Sequence, residues 1–457
     1  MIPMTLGEIA GAVHGRLVNA DAATMVTGPV EYDSRKIRPG GLFVAFPGEN
    51  VDGHDFAATA VAAGAAGVLG GRDTGVPGIV VGDPLVALAR LARTVVDRLS
   101  GLTVVGLTGS SGKTTTKDYI GQLLGRLGPT VAPAGSLNNE LGHPYTVLQA
   151  TPETRFLVLE MGARGIGHIR HLAEVAPPRI GVVLNVGAAH IGEFGSMEGT
   201  ARAKGELVEA LPGDGTAVLN ADDPLVAAMA SRTRAGVVLF GESDRAAVRA
   251  TDVELDARGR ASYRLGGARV SLAVAGRHQV SNTLAAAAVA LELGMPPADV
   301  AAALGAIAVV SGRRMDVFDR ADGVTVIDDS YNANPSSTAA ALRALVAMGR
   351  GRRTTAVLGY MAELGDFEVS GHADTGRLAA ELGVDRLIAV AENASPILDG
   401  ALGVEDWKGE AIFAADQPAA IAALEADLRP GDVVLVKGSR YRTWAVADAL
   451  RPEGERR

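Results

Sequence analysis

The chain contains no cysteine, which excludes a disulfide framework, a thiolate metal site and a cysteine nucleophile. Positive charge is in deficit, with 43 Lys and Arg against 52 Asp and Glu and a net charge of −9. That balance argues against a sequence-independent grip on DNA or RNA, so no nucleic-acid partner is expected. An anionic substrate would have to be met locally by Lys, Arg, Mg²⁺ and helix ends. No uninterrupted apolar stretch is long enough to span a bilayer, and Met1 to Leu17 lacks a basic segment followed by a long apolar one. The expectation is a cytoplasmic protein with no membrane partner.

What is present suits a multidomain enzyme. At 457 residues, about three domains are expected at roughly 150 residues each. Hydrophobic residues make up 47% and charged residues 21%, enough for several ordinary cores. Strand and helix patterns divide the chain at residues 1–100, 101–312 and 313–457. The first segment has a Thr5–Glu8 capping-box pair, strands at Leu42–Phe46 and Gly78–Val81, and helices near Asp55–Ala66 and Asp83–Leu99. The second has apolar strands at 102–107, 156–161, 180–186, 216–220 and 236–240, the signature of a buried and mostly parallel sheet. Alternation from Val253 to Val274 reads as an antiparallel addition. The third repeats the pattern, with strands near 324–328, 354–358, 385–391 and 432–436.

The most informative string is Leu107-Thr-Gly-Ser-Ser-Gly-Lys-Thr-Thr-Thr116. It follows an apolar strand and precedes helical spacing at Tyr119, Ile120, Leu123, Leu124 and Leu127. Strand, glycine loop and helix in that order build a phosphate cradle, with backbone N–H groups freed by the glycines and the helix start pointing at anionic oxygens. Gly109, Ser110, Ser111, Gly112, Lys113, Thr114 and Thr115 are the candidate nucleotide ligands. Lys113 would reach the β- and γ-phosphates and Thr114 a Mg²⁺ ion. The spacing is short, because the common pattern wants glycine where Leu107 stands.

Other clusters lie near strand ends, where open α/β sheets place ligands. Glu160 follows the apolar run Phe156–Leu159 and is either a Mg²⁺ partner of Thr114 or a solvent-facing carboxylate. His190 closes Asn185-Val-Gly-Ala-Ala-His and is either a metal ligand or a structural hydrogen-bonder. Lys204, on a helix, reads from its neighbours as a surface lysine. Asp328-Asp-Ser-Tyr-Asn-Ala-Asn-Pro-Ser336 is more polar than turn chemistry requires, and Ser336 is placed to cap the following helix.

Together these motifs resemble the Mur ligases, ATP-dependent amide-forming enzymes of peptidoglycan precursor assembly. The resemblance runs almost end to end. It includes Asp33-Ser-Arg35, Pro39–Ala45 and Asp52-Gly-His54 near the start, Leu358–Gly365, and Val436-Lys-Gly-Ser-Arg440 near the close. Tyr331-Asn-Ala-Asn-Pro335 is similar to the member that adds D-alanyl-D-alanine to UDP-N-acetylmuramoyl-tripeptide. The resemblance implies a small α/β domain for the UDP part, a central P-loop ATPase-like domain, and a C-terminal Rossmann-like domain that closes on ATP and receives the dipeptide. It also implies ATP and two Mg²⁺ ions, a carbamylated Lys204 near His190, and metal ligation by Thr114, Glu160, His190 and Lys204. Asn282, Arg314 and Asp329 would contact ATP, and Ser34, Asn138, Asn139, Asn332 and Asn334 would contact substrate. For Asn282 the alternative is a helix start capped by Ser281. The family usually has Asp where Tyr360 stands and Asn where Gln279 stands. A monomer is expected. Another ligase of the same family, or a P-loop nucleotide switch acting through partners, are the rival readings.

Overall fold

The computed structural model describes residues 1–48, 51–187, 195–439 and 442–452. Among these, the larger sheets follow one another along the chain, each flanked by helices. A five-stranded sheet runs in the order Arg16–Val18, Gly78–Val80, Gly67–Gly70, Leu42–Val44, Val30–Glu31. The first helix, Leu6–Val13, starts with the expected reciprocal Thr5–Glu8 capping box.

The central sheet has nine strands, and the order at its heart is Thr216–Asn220, Ile180–Val183, Thr103–Thr108, Phe156–Glu160. Those four are parallel and almost wholly buried. That is why they read as continuous Val/Leu runs rather than alternating ones. The hairpins of Val248–Leu255, Arg260–Leu265 and Ala268–Ala275 extend it antiparallel at one edge. The alanine-rich helix Gln279–Glu292 buries Ala285–Ala288 and Ala290 in the same core as Tyr119, Ile120, Leu123 and Leu124 of helix Lys113–Leu124. Small side chains let these helices approach closely.

A third sheet runs Asp316–Asp319, Thr325–Asp329, Val433–Lys437, Thr354–Gly359, Arg386–Val390, Glu410–Ala414, parallel except for its first strand. The segment leading to it is tied to the central unit. The backbone N–H of Ser311 donates to Asp118 Oδ2 (3.0 Å) and its Oγ accepts from Gly135 N (2.9 Å). Gln122 donates to Ala308 O and accepts from Ala308 N, both at 3.0 Å. Just beyond, Arg313 and Met315 have positive φ angles of 60° and 51°, unusual for side chains of their size.

The sequence pattern missed the strands Arg16–Val18, Gly67–Gly70 and Glu410–Ala414, which are short or lie at or near sheet edges. It also misplaced two helix starts. Asn334, not Ser336, caps Pro335–Met348, with Ser337 closing the box. Ser281 lies inside the helix that starts at Gln279. No helix is long and apolar enough to cross a membrane among the described residues.

Candidate functional site

The parallel strands of the central and third sheets present their carboxyl ends to one cleft of about 580 Å³. The central side supplies Ser110–Thr115, Asn138, Asn139, Glu160 and Asn282, and the third supplies Arg314, Asp329, Asn332 and Asn334. Asn334 Nδ2 also donates to Ser110 O across the divide (3.4 Å).

The phosphate loop leaves Thr103–Thr108 and enters helix Lys113–Leu124 at Gly112, whose φ is +78°. A Cβ on Gly112 would lie 2.5 Å from Asn282 Oδ1, so backbone conformation and packing both demand glycine. The expectation that glycine-freed amides all face a ligand needs correction. Asn185 Oδ1 accepts from Ser110 N (3.0 Å) and Ser111 N (2.9 Å), and its Nδ2 donates to Ser111 O (3.2 Å). The first amides of the helix, at Lys113, Thr114 and Thr115, have no intrahelical acceptor, which leaves them open to an anion. Lys113 Nζ donates to Gly109 O (2.8 Å), folding the side chain over its own loop. Desolvation pushes its pKa down, with the Arg314 charge adding to this and Glu160 and Glu363 opposing it.

Glu160 is the last residue of its strand and only 3% exposed, which overturns the solvent-facing alternative. Thr114 Oγ1 donates to its Oε2 (2.6 Å), while Ser136 Oγ (2.9 Å) and Asn138 Nδ2 (2.6 Å) donate to Oε1. Burial pushes its pKa up, but the charges of Lys113 and Arg314 and these hydrogen bonds prevail, so the net shift is downward. It stays a carboxylate. No group of three or more His, Asp or Glu side chains forms a ready metal cage among the described residues. A hydroxyl paired with a carboxylate beside a phosphate cradle nevertheless fits Mg²⁺, which keeps water and phosphate oxygens as its other ligands.

Lys204 contradicts its bland reading. It sits on helix Met197–Glu209 with 2% exposure. Burial, and then the charge of Lys113, lower its pKa well below the ordinary value. Lys204 does not line the cleft itself, and neither does Gly109. His190, expected beside Lys204, lies outside the described residues, as does Arg440 of the closing motif. Ser34 stands apart from the cleft, in a 3₁₀ turn capped by Asp33.

Family models match most of the chain: the "Mur ligase family, catalytic domain" over residues 29–100, the "Mur ligase middle domain" over 107–290, and the "Mur ligase, glutamate ligase domain" over 313–440. The chain belongs to the Mur ligase family. A UDP-N-acetylmuramoyl-tripeptide–D-alanyl-D-alanine ligase of Mycobacterium tuberculosis is 50% identical over 98% of both chains. The Escherichia coli protein of that name is 36% identical over 99% of this chain and all of its own. In three dimensions this Mur ligase is similar to MurF from Acinetobacter baumannii, with a TM-score of 0.86, 33% identity and 97% of each chain covered. It is also similar to MurF from Thermotoga maritima in complex with ADP, with a TM-score of 0.78, 30% identity, and 91% and 95% covered.

Departures from the family pattern have local explanations in this Mur ligase. Gln279 is buried, and its Oε1 accepts from Tyr119 Oη (3.1 Å) and Asn282 Nδ2 (3.0 Å), holding Asn282 against the loop. Tyr360 donates to Glu368 Oε2 (2.7 Å), stacks on His372 and lies under Arg442, outside the lining of the cleft. Sequence reasoning gave Lys437 no role. It is 2% exposed and pairs with Asp329 (2.5 Å) while donating to Asn332 O (3.0 Å). Its position at the end of an all-apolar strand was the available signal, the same one Glu160 carries. Ser136 had no signal at all.

Proposed function

We propose that this chain joins D-alanyl-D-alanine to the terminal carboxylate of UDP-N-acetylmuramoyl-tripeptide, consuming ATP and giving ADP, phosphate and UDP-N-acetylmuramoyl-pentapeptide for peptidoglycan precursor synthesis. The observation that carries this reading is the single cleft in which Lys113, Thr114 and Glu160 face Arg314 and Asp329 of the third unit. Full-length similarity to ligases bearing that name supports the choice of substrates.

A free carboxylate is a poor acyl donor because its leaving group would be oxide. In the proposed reaction a carboxylate oxygen of the tripeptide attacks the γ-phosphorus and the bond to ADP breaks. The neutral amine of D-alanyl-D-alanine then attacks the acyl carbon, and phosphate leaves with the electrons of the carbon–oxygen bond and takes up the proton that the nitrogen sheds. Lys113 and the open amides of its helix hold the phosphates, and Arg314 adds charge from the other side. Mg²⁺ at Thr114 and Glu160 would supply charge neutralisation between the two anions. A neutral, buried Lys204 amine is the form that captures CO₂, so carbamylation would turn it into an anionic oxygen ligand for a second ion. His190 belongs to the same proposal.

Residues 1–100, with Ser34, would hold the UDP part. Residues 101–312 would hold ATP, with Asn282 on the nucleotide and Asn138 and Asn139 along the tripeptide. Residues 313–457 would bring Asp329, Asn332 and Asn334 and shield the acyl phosphate from water. We place the protein in the cytoplasm, as a monomer. The test is phosphate release from ATP with UDP-N-acetylmuramoyl-tripeptide and each candidate amine in turn. Release that depends on D-alanyl-D-alanine is expected. Release with another amino acid reassigns the enzyme within the family, and release with neither substrate marks a nucleotide switch.

A further inference from the structure

Lys117 is a buried cation that the chemistry proposed above leaves unused. It stands one turn after Lys113 on the helix Lys113–Leu124 and is 3% exposed. It does not line the cleft, and neither do Asp118, Gly135 and Ser311 around it. Its ammonium has three donors and an acceptor for each. Asp118 Oδ1 lies 3.0 Å away, Gly135 O accepts at 2.9 Å, and Pro133 O accepts as well. Burying a charged pair is costly, and an apolar pair of similar volume often serves stability as well. What an apolar pair could not do is grip two carbonyls of a segment that has no helix or strand of its own.

That segment leads directly to the carboxylate proposed for Mg²⁺. Ser136 follows Gly135, and its Oγ donates to Glu160 Oε1 (2.9 Å). Thr114, three residues before Lys117 and on the same helix face, donates to Glu160 Oε2 (2.6 Å). Both oxygens of Glu160 are thus referred to one helix, Oε2 directly and Oε1 through the segment that Lys117 holds. Asn138 Nδ2 donates to Oε1 (2.6 Å) and to Ser136 Oγ (2.9 Å), but Asn138 has a separate hold. Its carbonyl accepts from Gly162 N (2.9 Å). The backbone before Ser136 is what depends on Lys117. With φ at +87°, which glycine adopts readily, Gly135 gives its carbonyl to Lys117 and its N–H to Ser311 Oγ (2.9 Å). Ser311 N closes the ring by donating to Asp118 Oδ2 (3.0 Å).

We infer that Lys117 is a positioning residue: by holding Pro133 and Gly135 it sets Ser136, which keeps the Glu160 carboxylate oriented for Mg²⁺. This assignment rests on the nucleotide and metal reading above and deepens it. Lys117 then acts on Mg²⁺-dependent binding and not on the phosphate loop, whose amides Asn185 braces.

ADP affinity, measured by calorimetry in EDTA and again in saturating Mg²⁺, separates the two effects. Lys117→Met/Asp118→Asn removes both charges together, so no unpaired charge is left buried. In EDTA its ADP affinity should stay within about twofold of wild type, as for sites that share no contact. The tightening that Mg²⁺ brings should shrink about 10-fold, the lower end of what losing an outer partner costs a metal site. Ser136→Ala should shrink it similarly, and combining the three changes should cost little more, because they act through one contact. Lys117→Arg keeps the charge but not the shape of the ammonium. It should shrink the Mg²⁺ effect too, and it carries the comparison if the double variant does not fold. A parallel loss in EDTA and in Mg²⁺ overturns the assignment by placing Lys117 in the phosphate loop or the fold. So do strictly additive losses in the combined variant, an undiminished Mg²⁺ effect in the folded variants, or failure of every Lys117 variant to fold. Wild type whose ADP affinity ignores Mg²⁺ refutes the metal reading of Thr114 and Glu160, and the assignment falls with it.

Discussion

Glu160 and Lys204 are both about as buried as charged residues become, at 3% and 2% exposure, yet their surroundings push Glu160 toward its charged form and Lys204 toward its neutral one. Around Glu160 the neighbours oppose desolvation: Lys113, Arg314, Thr114 and Asn138 all favour the carboxylate. Around Lys204 the nearest strong influence, Lys113, acts in the same direction as burial. One site is held toward its charged form, and the other is pushed toward its neutral amine. Burial by itself therefore does not determine ionisation; the sign of the neighbouring charge does. His143 provides a third case, fully buried, with its imidazole pushed down to about 4 by desolvation.

Lys113 is common to the first two environments, so removing it should have the largest effect. Lys113→Ala should abolish turnover, by about 10³-fold or more, the scale of a lost charge at a transferring phosphoryl group. The circular dichroism spectrum should stay native; near-normal phosphate release would refute the phosphate-loop assignment. Next, Lys204→Ala should be nearly inactive, with turnover partly restored by short-chain carboxylates added to the assay. Full activity without them would return Lys204 to a packing role. For Glu160→Gln, a loss of about 10²-fold is expected, together with a higher Mg²⁺ concentration for half-maximal rate. An unaltered Mg²⁺ titration would detach Glu160 from metal binding.

The smallest effect concerns His143, which is buried and does not line the cleft. Its folded pKa lies below the unfolded value of about 6.5. As pH falls, the unfolded chain gains a proton that the folded chain refuses. Stability is complete above pH 6.5 and is lost down to about pH 4, by about 3 kcal/mol. Urea unfolding of wild type and His143→Leu over that range should show the extra slope only in wild type. Parallel slopes would mean that another group carries the acid sensitivity.

The sequence made much of this architecture legible, because buried parallel strands announce themselves as unbroken Val/Leu runs and the phosphate loop as a glycine-lysine string. Glu160 and Lys437 were visible as lone charges ending such runs. Lys204 was not, since a lysine between Ala203 and Gly205 has the same local pattern whether its helix faces water or the core. Only tertiary packing decides between those states. Asn185 was legible as a strand-end residue but not as the acceptor for two loop amides, a contact spanning more than seventy residues. Ser136 depends on how separate loops meet, and nothing within its own loop encodes that meeting.

The tie between Ser311, Asp118 and Gly135 fixes the chain to the phosphate-loop helix just before the paired positive φ angles of Arg313 and Met315. Any swing of the third unit must therefore turn about a point close to the nucleotide. In such a lever Arg314, a few residues from the pivot, travels little and stays near Lys113 at every angle. Tyr331 moves with it, its N–H donating to Arg313 O (3.1 Å) and its ring under the Arg314 guanidinium, whereas the far edge of the sheet at Glu410–Ala414 sweeps the longest arc. The position of one serine thus keeps Arg314 and the Tyr331–Asn334 segment together at the still end of the lever, beside the phosphate loop.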